Sequence, residues 1–215
     1  MIPVRRVFED YANDYDRWFD EHHDVYEAQL RMLHRAVPRH GLGLEVGVGS
    51  GRFAVPFGIR CGIDPSRGLA QIAKVRGIEV VLGEGEHLPY REASFDYVLM
   101  MTVICFLDDA IAVFHEVYRV LKPGGILVVG FIEKDGEIHR IYQEESTKGR
   151  FLRFAKFRTV GNVDRFFSDA GFRQVSIIER ARGFCVMSGQ AVRERSGYQP
   201  VSIVISDGLP VVYFF

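Results

Sequence analysis

The sequence lacks the features that define several classes of protein. Its 215 residues include only three cysteines, Cys61, Cys105 and Cys185, which are odd in number and irregularly spaced. They form neither a zinc-ligand pattern nor a disulfide framework, so we expect no metal site and a reducing, cytoplasmic environment. No apolar run reaches membrane-spanning length and no signal-peptide pattern is present, so we also expect no membrane partner.

An excess of charge of either sign is also missing. The chain carries 27 Lys and Arg against 28 Asp and Glu, a formal net charge of -1. The chain therefore has no overall positive charge that would attract nucleic acid, and we do not expect a nucleic-acid partner. We find no internal repeat and no low-complexity segment. The length fits one domain spanning residues 1–215, and we expect a monomer or a homodimer.

The most informative segment is the glycine-rich stretch 44–51, Leu-Glu-Val-Gly-Val-Gly-Ser-Gly. Its apolar residues predict a buried strand, and the alternate glycines that follow predict a turn whose backbone a ligand can approach closely. Glu45 is an acid at a position where a buried strand normally has an apolar residue. The combination indicates a site for a nucleoside-like cofactor with a positive charge, although a strand-to-helix turn without a ligand gives the same glycine pattern.

A second acid lies where it could serve the same site. Ile59–Ile63 predicts a second strand, and Asp64 stands at its end, 17 residues after Gly47. In a strand–helix–strand unit an acid at this place faces the ribose of a bound nucleoside, and its carboxylate can accept from both hydroxyls. A helix cap is the alternative role for Asp64, but Ser66 is already available as a cap.

Strands and helices alternate along the rest of the chain. Apolar runs predict strands at 78–82, 97–101, 126–132 and 172–178, and helical periodicity predicts the helices between them, one capped by Asp108. This alternation is typical of an α/β fold with a three-layer, doubly wound and mostly parallel sheet. Two apolar runs about Asp207-Gly208 predict a hairpin, and one run is a candidate for an antiparallel strand near the C-terminus.

Two segments outside this alternation could cover the site. Residues 4–37 predict two helices with an aromatic stripe, which either packs in the core or forms a lid that lays Tyr11 or Tyr15 over a ligand. Residues 133–158 are densely charged and carry three phenylalanines at three-residue spacing. This second segment is either a basic, aromatic substrate cap or a helix that packs its phenylalanine face on the sheet.

Together these pieces resemble the class I S-adenosylmethionine-dependent methyltransferases, especially the small-molecule branch that includes the ubiquinone and menaquinone biosynthesis enzymes. The matching segments are EVGVGSGRF at 45–53, GIDPS at 62–66, GEGEHLP at 83–89, SFDYVLM at 94–100 and LKPGG at 121–125. FEDYANDYDRWF at 8–19 also resembles the leading helix of the family. The resemblance covers residues 8–180 and implies a Rossmann-like sheet with S-adenosyl-L-methionine as cofactor.

The resemblance further implies which residues hold each part of the cofactor. Asp64, with Pro65 beside it, would face the ribose. The adenine would be surrounded by Glu84, Gly85 and Glu86. The methionine end and its ammonium group would meet Glu45, Gly47, Gly49, Ser50, Gly51 and Met101.

The expected reaction is methyl transfer to a nitrogen, oxygen or carbon of a small-molecule acceptor. No residue is singled out as a general base, and Tyr11, Tyr15 and Phe106 are candidates for the pocket wall. A nicotinamide-dependent oxidoreductase is one alternative, supported by the Gly49–Ala54 spacing, but Glu45 would then face a pyrophosphate of the same charge. The other alternative is a catalytically silent methyltransferase-like binding module.

Overall fold

The protein is built around a central sheet of seven strands, seen in a computed structural model that describes residues 4–144, 149–193, 205–206 and 209–210. The strands are β1 (Gly43–Val46), β2 (Cys61–Asp64), β3 (Glu79–Leu82), β4 (Phe95–Met101), β5 (Leu121–Ile132), β6 (Arg173–Ala181) and β7 (Phe184–Gln190). Their order across the sheet is β3-β2-β1-β4-β5-β7-β6. The first five strands in sequence, β1 to β5, are mutually parallel, which brings their carboxyl ends to one edge of the sheet.

One strand runs against the others. β7 pairs antiparallel with both β5 and β6, which confirms the predicted, mostly parallel α/β sheet with one antiparallel strand near the C-terminus. The prediction that a run about Asp207-Gly208 supplies that strand was wrong, because the described residues there, Ile205–Ser206 (β8) and Leu209–Pro210 (β9), lie in a separate two-stranded sheet. Their antiparallel pairing with each other agrees with the hairpin predicted at this place. β7 lies between β5 and β6 in the sheet. The sequence did not predict this strand, because Ser188 and Gly189 interrupt its apolar run.

Seven helices accompany the sheet in the part of the chain that the structure describes. They are α1 (Val4–Asp10), α2 (Ala12–Glu21), α3 (His23–Leu33), α4 (Arg67–Val75), α5 (Ala110–Val120), α6 (Glu137–Glu144) and α7 (Val160–Asp169). The first three replace the two helices predicted for 4–37. The breaks fall at Tyr11 and His22, whose backbones leave the helical region with φ of -123° and -121°.

Two helix caps can be compared with the prediction. Ser66 caps α4 as expected, since its hydroxyl accepts from the Leu69 N–H at 3.2 Å. The cap of α5 is Asp109 and not Asp108, because Asp109 Oδ1 accepts from the Ala112 N–H at 3.0 Å. The carboxylate of Asp108 instead pairs with Lys156 Nζ at 2.8 Å, so a neighbouring acid does the capping.

The core lies in two apolar layers, one on each face of the sheet. β4 shows the division, since Val98 and Met100 join one layer while Tyr97, Leu99 and Met101 join the other. This alternation follows from the two-residue period of a strand. Between β1 and β2 the chain makes turns and a three-residue 3₁₀ helix, Val55–Phe57, so the helical part of this strand–helix–strand unit is short.

Candidate functional site

The glycine-rich segment forms a tight bend directly after β1. Gly47, Gly49 and Gly51 all have positive φ, at 73°, 53° and 82°, a region that residues with a Cβ adopt rarely. At Gly47 there is no space for a side chain either, because an added Cβ would lie 2.4 Å from Val103 Cγ2. The bend therefore depends on glycine. It lies at the edge where the parallel strands end, and its three glycines leave the backbone uncovered by their own side chains.

Asp64 points its carboxylate at this bend. Its Oδ2 accepts from the Gly49 N–H at 2.8 Å, and its Oδ1 accepts from the Ser66 N–H at 2.8 Å. The residue is only 7% exposed, and this burial raises the pKa of its carboxyl to about 6. A carboxylate oxygen has two lone pairs, so both oxygens keep acceptor capacity for a ligand hydroxyl.

Glu45 is the second acid at the bend, and it is 1% exposed. Burial, followed by the negative charge of Asp64, raises the pKa of Glu45 well above its usual value, while the Ala54 N–H acts to lower it. Among the described residues, Glu45 Oε2 is a buried oxygen that has no hydrogen-bond partner. An unpartnered buried acid is costly in free energy, so the position fits a site completed by a cationic group of a ligand.

The raised pKa of Asp64 predicts how stability depends on pH without a ligand. The folded chain binds this proton more tightly than the unfolded chain, whose carboxyl has a pKa of 3.8 against about 6 when folded. Ionised Asp64 therefore lowers the free energy of unfolding as pH rises from 4 through 6. Asp64→Asn does not titrate, so its stability relative to wild type should rise by roughly 2–3 kcal/mol between pH 4 and pH 7. Urea unfolding at several pH values measures the difference, and a constant difference would mean that Asp64 has an ordinary pKa.

Aromatic rings lie over the bend. The ring of Tyr15 faces Gly49, with its Cε1 3.5 Å from the position that a Cβ there would occupy. Tyr15 and Phe8 are 5.5 Å apart between ring centroids, and Phe8 contacts both Phe106 and Phe151 at 5.1 Å. We call these four residues the aromatic roof. Burial, with the charges of Asp64 and Glu45, raises the pKa of Tyr15, so its hydroxyl stays protonated.

Tyr11 lies apart from the aromatic roof. It is 41% exposed, and the guanidinium carbon of Arg150 lies 3.8 Å from its ring centroid. Arg150 also pairs with Asp14 of α2. Of the two tyrosines proposed to cover the bend, the structure thus brings Tyr15 to it and leaves Tyr11 on the surface.

The three phenylalanines between 149 and 158 do not share a face. Phe151 joins the aromatic roof, Phe154 lies under Arg153, and Phe157 packs on His139 at 4.6 Å. Only Leu152–Phe154 forms a helical turn here, so the interpretation as one helix with a phenylalanine face was wrong. The segment is joined to the loop after β4 by the Lys156 N–H, which donates to the Cys105 carbonyl at 2.7 Å.

The other predicted site residues lie at different depths around this edge. Gly85 is closely packed, since an added Cβ would lie 3.1 Å from Val46 Cγ1 at the end of β1. Glu84 is exposed, Glu86 and Pro65 are half-buried, and Ser50 is buried in the bend. Met101 packs in the core, where its sulfur would lie 2.6 Å from a Cβ on Gly130.

Sequence reasoning missed Glu9 of α1. Its Oε2 accepts from the Ser66 hydroxyl at 3.1 Å and from the Gly68 N–H at 3.2 Å, so α1 is attached to the start of α4, beside Asp64. Glu9 is one of two adjacent acids on α1, and no pattern distinguished it from Asp10.

Neither a metal cluster nor a membrane-spanning helix is found in the part of the chain that the structure describes. Within the described ranges, no group of His, Cys, Asp and Glu could hold a metal ion, and the three cysteines are free thiols. No helix in that part of the chain combines the length and the apolarity needed to cross a membrane.

Comparison with known proteins gives one domain match. The family model described as a methyltransferase domain matches residues 44–129, a range that begins at the glycine-rich strand and ends in β5. An uncharacterized protein of Methanocaldococcus jannaschii is 40% identical over 169 residues, which are 79% of this chain and 82% of that protein.

Two relatives carry a more informative name. The crystal structure of a SAM-dependent methyltransferase from Thermotoga maritima, a possible histamine N-methyltransferase, superposes with a TM-score of 0.80 at 34% identity, covering 86% of this chain and 99% of that one. A demethylmenaquinone methyltransferase of Staphylococcus aureus is 30% identical over 141 residues. The chain spans 58% of that enzyme's length, and 59% of the length of mycobacterial relatives of unknown function.

Proposed function

Because the chain belongs to the class I S-adenosylmethionine-dependent methyltransferases, we propose that it methylates a nitrogen, oxygen or carbon of a small-molecule acceptor. The observation that carries the proposal is the buried, unpartnered Oε2 of Glu45 beside a glycine bend. A cofactor with a cationic end fits that oxygen, and the glycines of the bend carry no side chain that would keep a ligand from the backbone. The names of two relatives support a small acceptor, since one is a demethylmenaquinone methyltransferase and the other a possible histamine N-methyltransferase.

We propose the following division of the cofactor site among the chain's residues. Glu45 would receive the ammonium group, and Asp64 would accept from the ribose hydroxyls. The half-buried Pro65 would lie beside the ribose. The adenine would lie among Glu84, Gly85 and Glu86, and the methionine portion would lie along Gly47, Gly49, Ser50, Gly51 and Met101.

The chain's chemical contribution in this proposal is alignment and exclusion of water. When bound, S-adenosyl-L-methionine supplies a methyl group attached to a sulfonium. Transfer of this methyl group leaves a neutral thioether. Good orientation alone can lower a barrier by roughly 7–11 kcal/mol, so covalent help from the protein is not required. Tyr15 and Phe106 of the aromatic roof would keep water from the reacting atoms, and Tyr11 would lie at the entrance.

The aromatic roof also bears on the acceptor and on domain organisation. Its rings favour an acceptor with an apolar or aromatic body, and the nearby Arg150 and Lys156 are each paired with an acid. Residues 4–37 would form the lid, and 133–158 would form the cap of a single domain, 1–215. We also propose a cytoplasmic location, which agrees with the three free thiols.

Thermal unfolding with added cofactors tests the first half of the proposal. S-adenosylhomocysteine at 100 times its dissociation constant should raise the free energy of unfolding by about 2.7 kcal/mol. NAD and NADP serve as controls, because Glu45 would repel their pyrophosphate, and stabilisation by them alone would favour an oxidoreductase.

A panel of amines, phenols and quinols, with radiolabelled methyl donor, tests the second half. Incorporation of label into one class identifies the acceptor atom. Tight cofactor binding without methylation of any member would instead favour a silent binding module.

A further inference from the structure

One carboxylate in the protein receives two arginines at once. Asp16 of α2 accepts from Arg52 Nε at 2.9 Å and Nη2 at 3.1 Å, and from Arg76 Nη1 at 2.7 Å and Nη2 at 2.8 Å. Its side chain is 17% exposed. We call Asp16, Arg52 and Arg76 the arginine clamp. Such paired, charge-assisted hydrogen bonds fix orientation as well as distance.

The arginine clamp is attached directly to the glycine bend. Arg76, at the end of α4, donates from Nη1 to the Ser50 carbonyl at 2.7 Å. Arg52 follows Gly51 in the chain, and its carbonyl accepts from the Tyr26 hydroxyl of α3 at 2.6 Å. Asp16 therefore connects α2 to two residues of the segment that forms the bend.

The neighbour of Asp16 on α2 is Tyr15, whose ring packs against Gly49 of the same bend. Asp16 is held to Arg52 directly and to the Ser50 carbonyl through Arg76, and this attachment in turn limits how far the Tyr15 ring can move from Gly49. Partial burial acts to raise the pKa of Asp16, but the hydrogen bonds from Arg76 and Arg52 lower it overall. Asp16 is thus ionised throughout the physiological range, and the clamp does not depend on pH there.

We propose that Asp16 is a positioning residue for the cofactor site, which sets the position of the Tyr15 ring against the bend. The inference rests on the proposed function, since it assumes that the cofactor binds at the bend beside Tyr15. It assigns a role to Arg52, the residue that stands where a dinucleotide-binding pattern starting at Gly47 would need a glycine or alanine. It also gives Arg76 a role, although Arg76 lies 60 residues from Asp16 in sequence.

Calorimetric binding of S-adenosylhomocysteine to matched variants tests this role. Asp16→Asn keeps the shape of the side chain but removes the charge that both arginines share, so affinity should fall at least tenfold. Asp20→Asn is the control, because Asp20 also pairs with Arg52 at 2.7 Å but is 64% exposed and does not contact Arg76. Its affinity should change less than twofold. Unchanged affinity in folded Asp16→Asn would overturn the proposal.

Two more measurements separate positioning from a merely structural role. If Asp16 acts through Tyr15, Asp16→Asn and Tyr15→Ala should weaken binding less in combination than the product of their single effects. Strictly multiplicative effects would contradict that link. The single tryptophan, Trp18, lies on α2, so a change in its emission without loss of affinity would show that α2 moves without consequence for the site.

The remaining outcomes are also decisive. If Asp16→Asn does not fold, Arg76→Met removes the bond to the Ser50 carbonyl and leaves Asp16 paired with Arg52. Its affinity should also fall several-fold, and wild-type affinity there would overturn the proposal. Failure of the wild-type protein to bind S-adenosylhomocysteine would instead contradict the proposed site itself.

Discussion

Replacing Asp64 with alanine should weaken S-adenosylhomocysteine binding about a hundredfold or more. A hydrogen bond to a charged group contributes about 1.5–3 kcal/mol, and the carboxylate is proposed to accept from two ribose hydroxyls. The substitution also leaves the Gly49 N–H without the acceptor that it has at 2.8 Å. Both effects act on the same corner of the site, so the loss should appear in affinity measured by calorimetry and not only in activity.

Two variants make this measurement specific. Asp64→Asn keeps an acceptor oxygen and the side-chain shape, so its affinity should lie between those of the wild type and Asp64→Ala. Asp96→Ala is the remote control, because Asp96 also accepts from a backbone N–H, that of Leu42 at 2.7 Å, but stands near the start of β4. Binding by Asp96→Ala should match wild type, and wild-type affinity in Asp64→Ala would remove the ribose assignment.

Glu45→Gln should change stability and binding in opposite directions. Burial raises the pKa of Glu45, which means that the folded protein disfavours its charged form. At pH 8 the neutral amide should therefore raise the free energy of unfolding of the cofactor-free protein by about 1–3 kcal/mol. Cofactor binding should fall roughly a hundredfold, because the ammonium group loses its counter-charge. Gains in stability with loss of function are typical of binding-site residues.

Denaturant unfolding and calorimetry on the same samples check both signs for Glu45→Gln. The amide keeps one oxygen that can accept from the Ala54 N–H. Any change in stability or affinity therefore comes from replacing the second oxygen, Oε2, and from losing the charge. Reduced stability without cofactor would mean that the carboxylate already has a partner in the folded chain. Unchanged affinity would show that the ammonium group is held elsewhere.

The local parts of the site could be predicted from sequence because each lies within one short segment. The glycine bend, Asp64 at the strand end and Ser66 as a helix cap depend on neighbours a few residues away. The resemblance to the methyltransferase family is confirmed on these same segments. The mostly parallel sheet was predictable for the same reason, since apolar runs alternating with helical periodicity define it.

The parts that could not be predicted depend on contacts between distant segments. Asp16 meets Arg76 across 60 residues, and nothing in the local sequence of α2 distinguishes Asp16 from its neighbouring acids. Tyr11 is 41% exposed at the break between α1 and α2, whereas Tyr15 packs against Gly49, and the aromatic spacing of the segment does not distinguish the two. The even spacing of Phe151, Phe154 and Phe157 predicted a helical face. In the structure each ring has a different partner, which is Phe8 for the first, Arg153 for the second and His139 for the third.

The short 3₁₀ turn at Val55–Phe57 has an electrostatic consequence. In folds that bind dinucleotides, a full α-helix starts at the glycine bend, and its aligned peptide dipoles present about half a positive charge to a pyrophosphate. Three residues of 3₁₀ helix build almost no such macrodipole. A pyrophosphate would therefore gain little from a helix dipole at this bend, where the buried acids Glu45 and Asp64 lie.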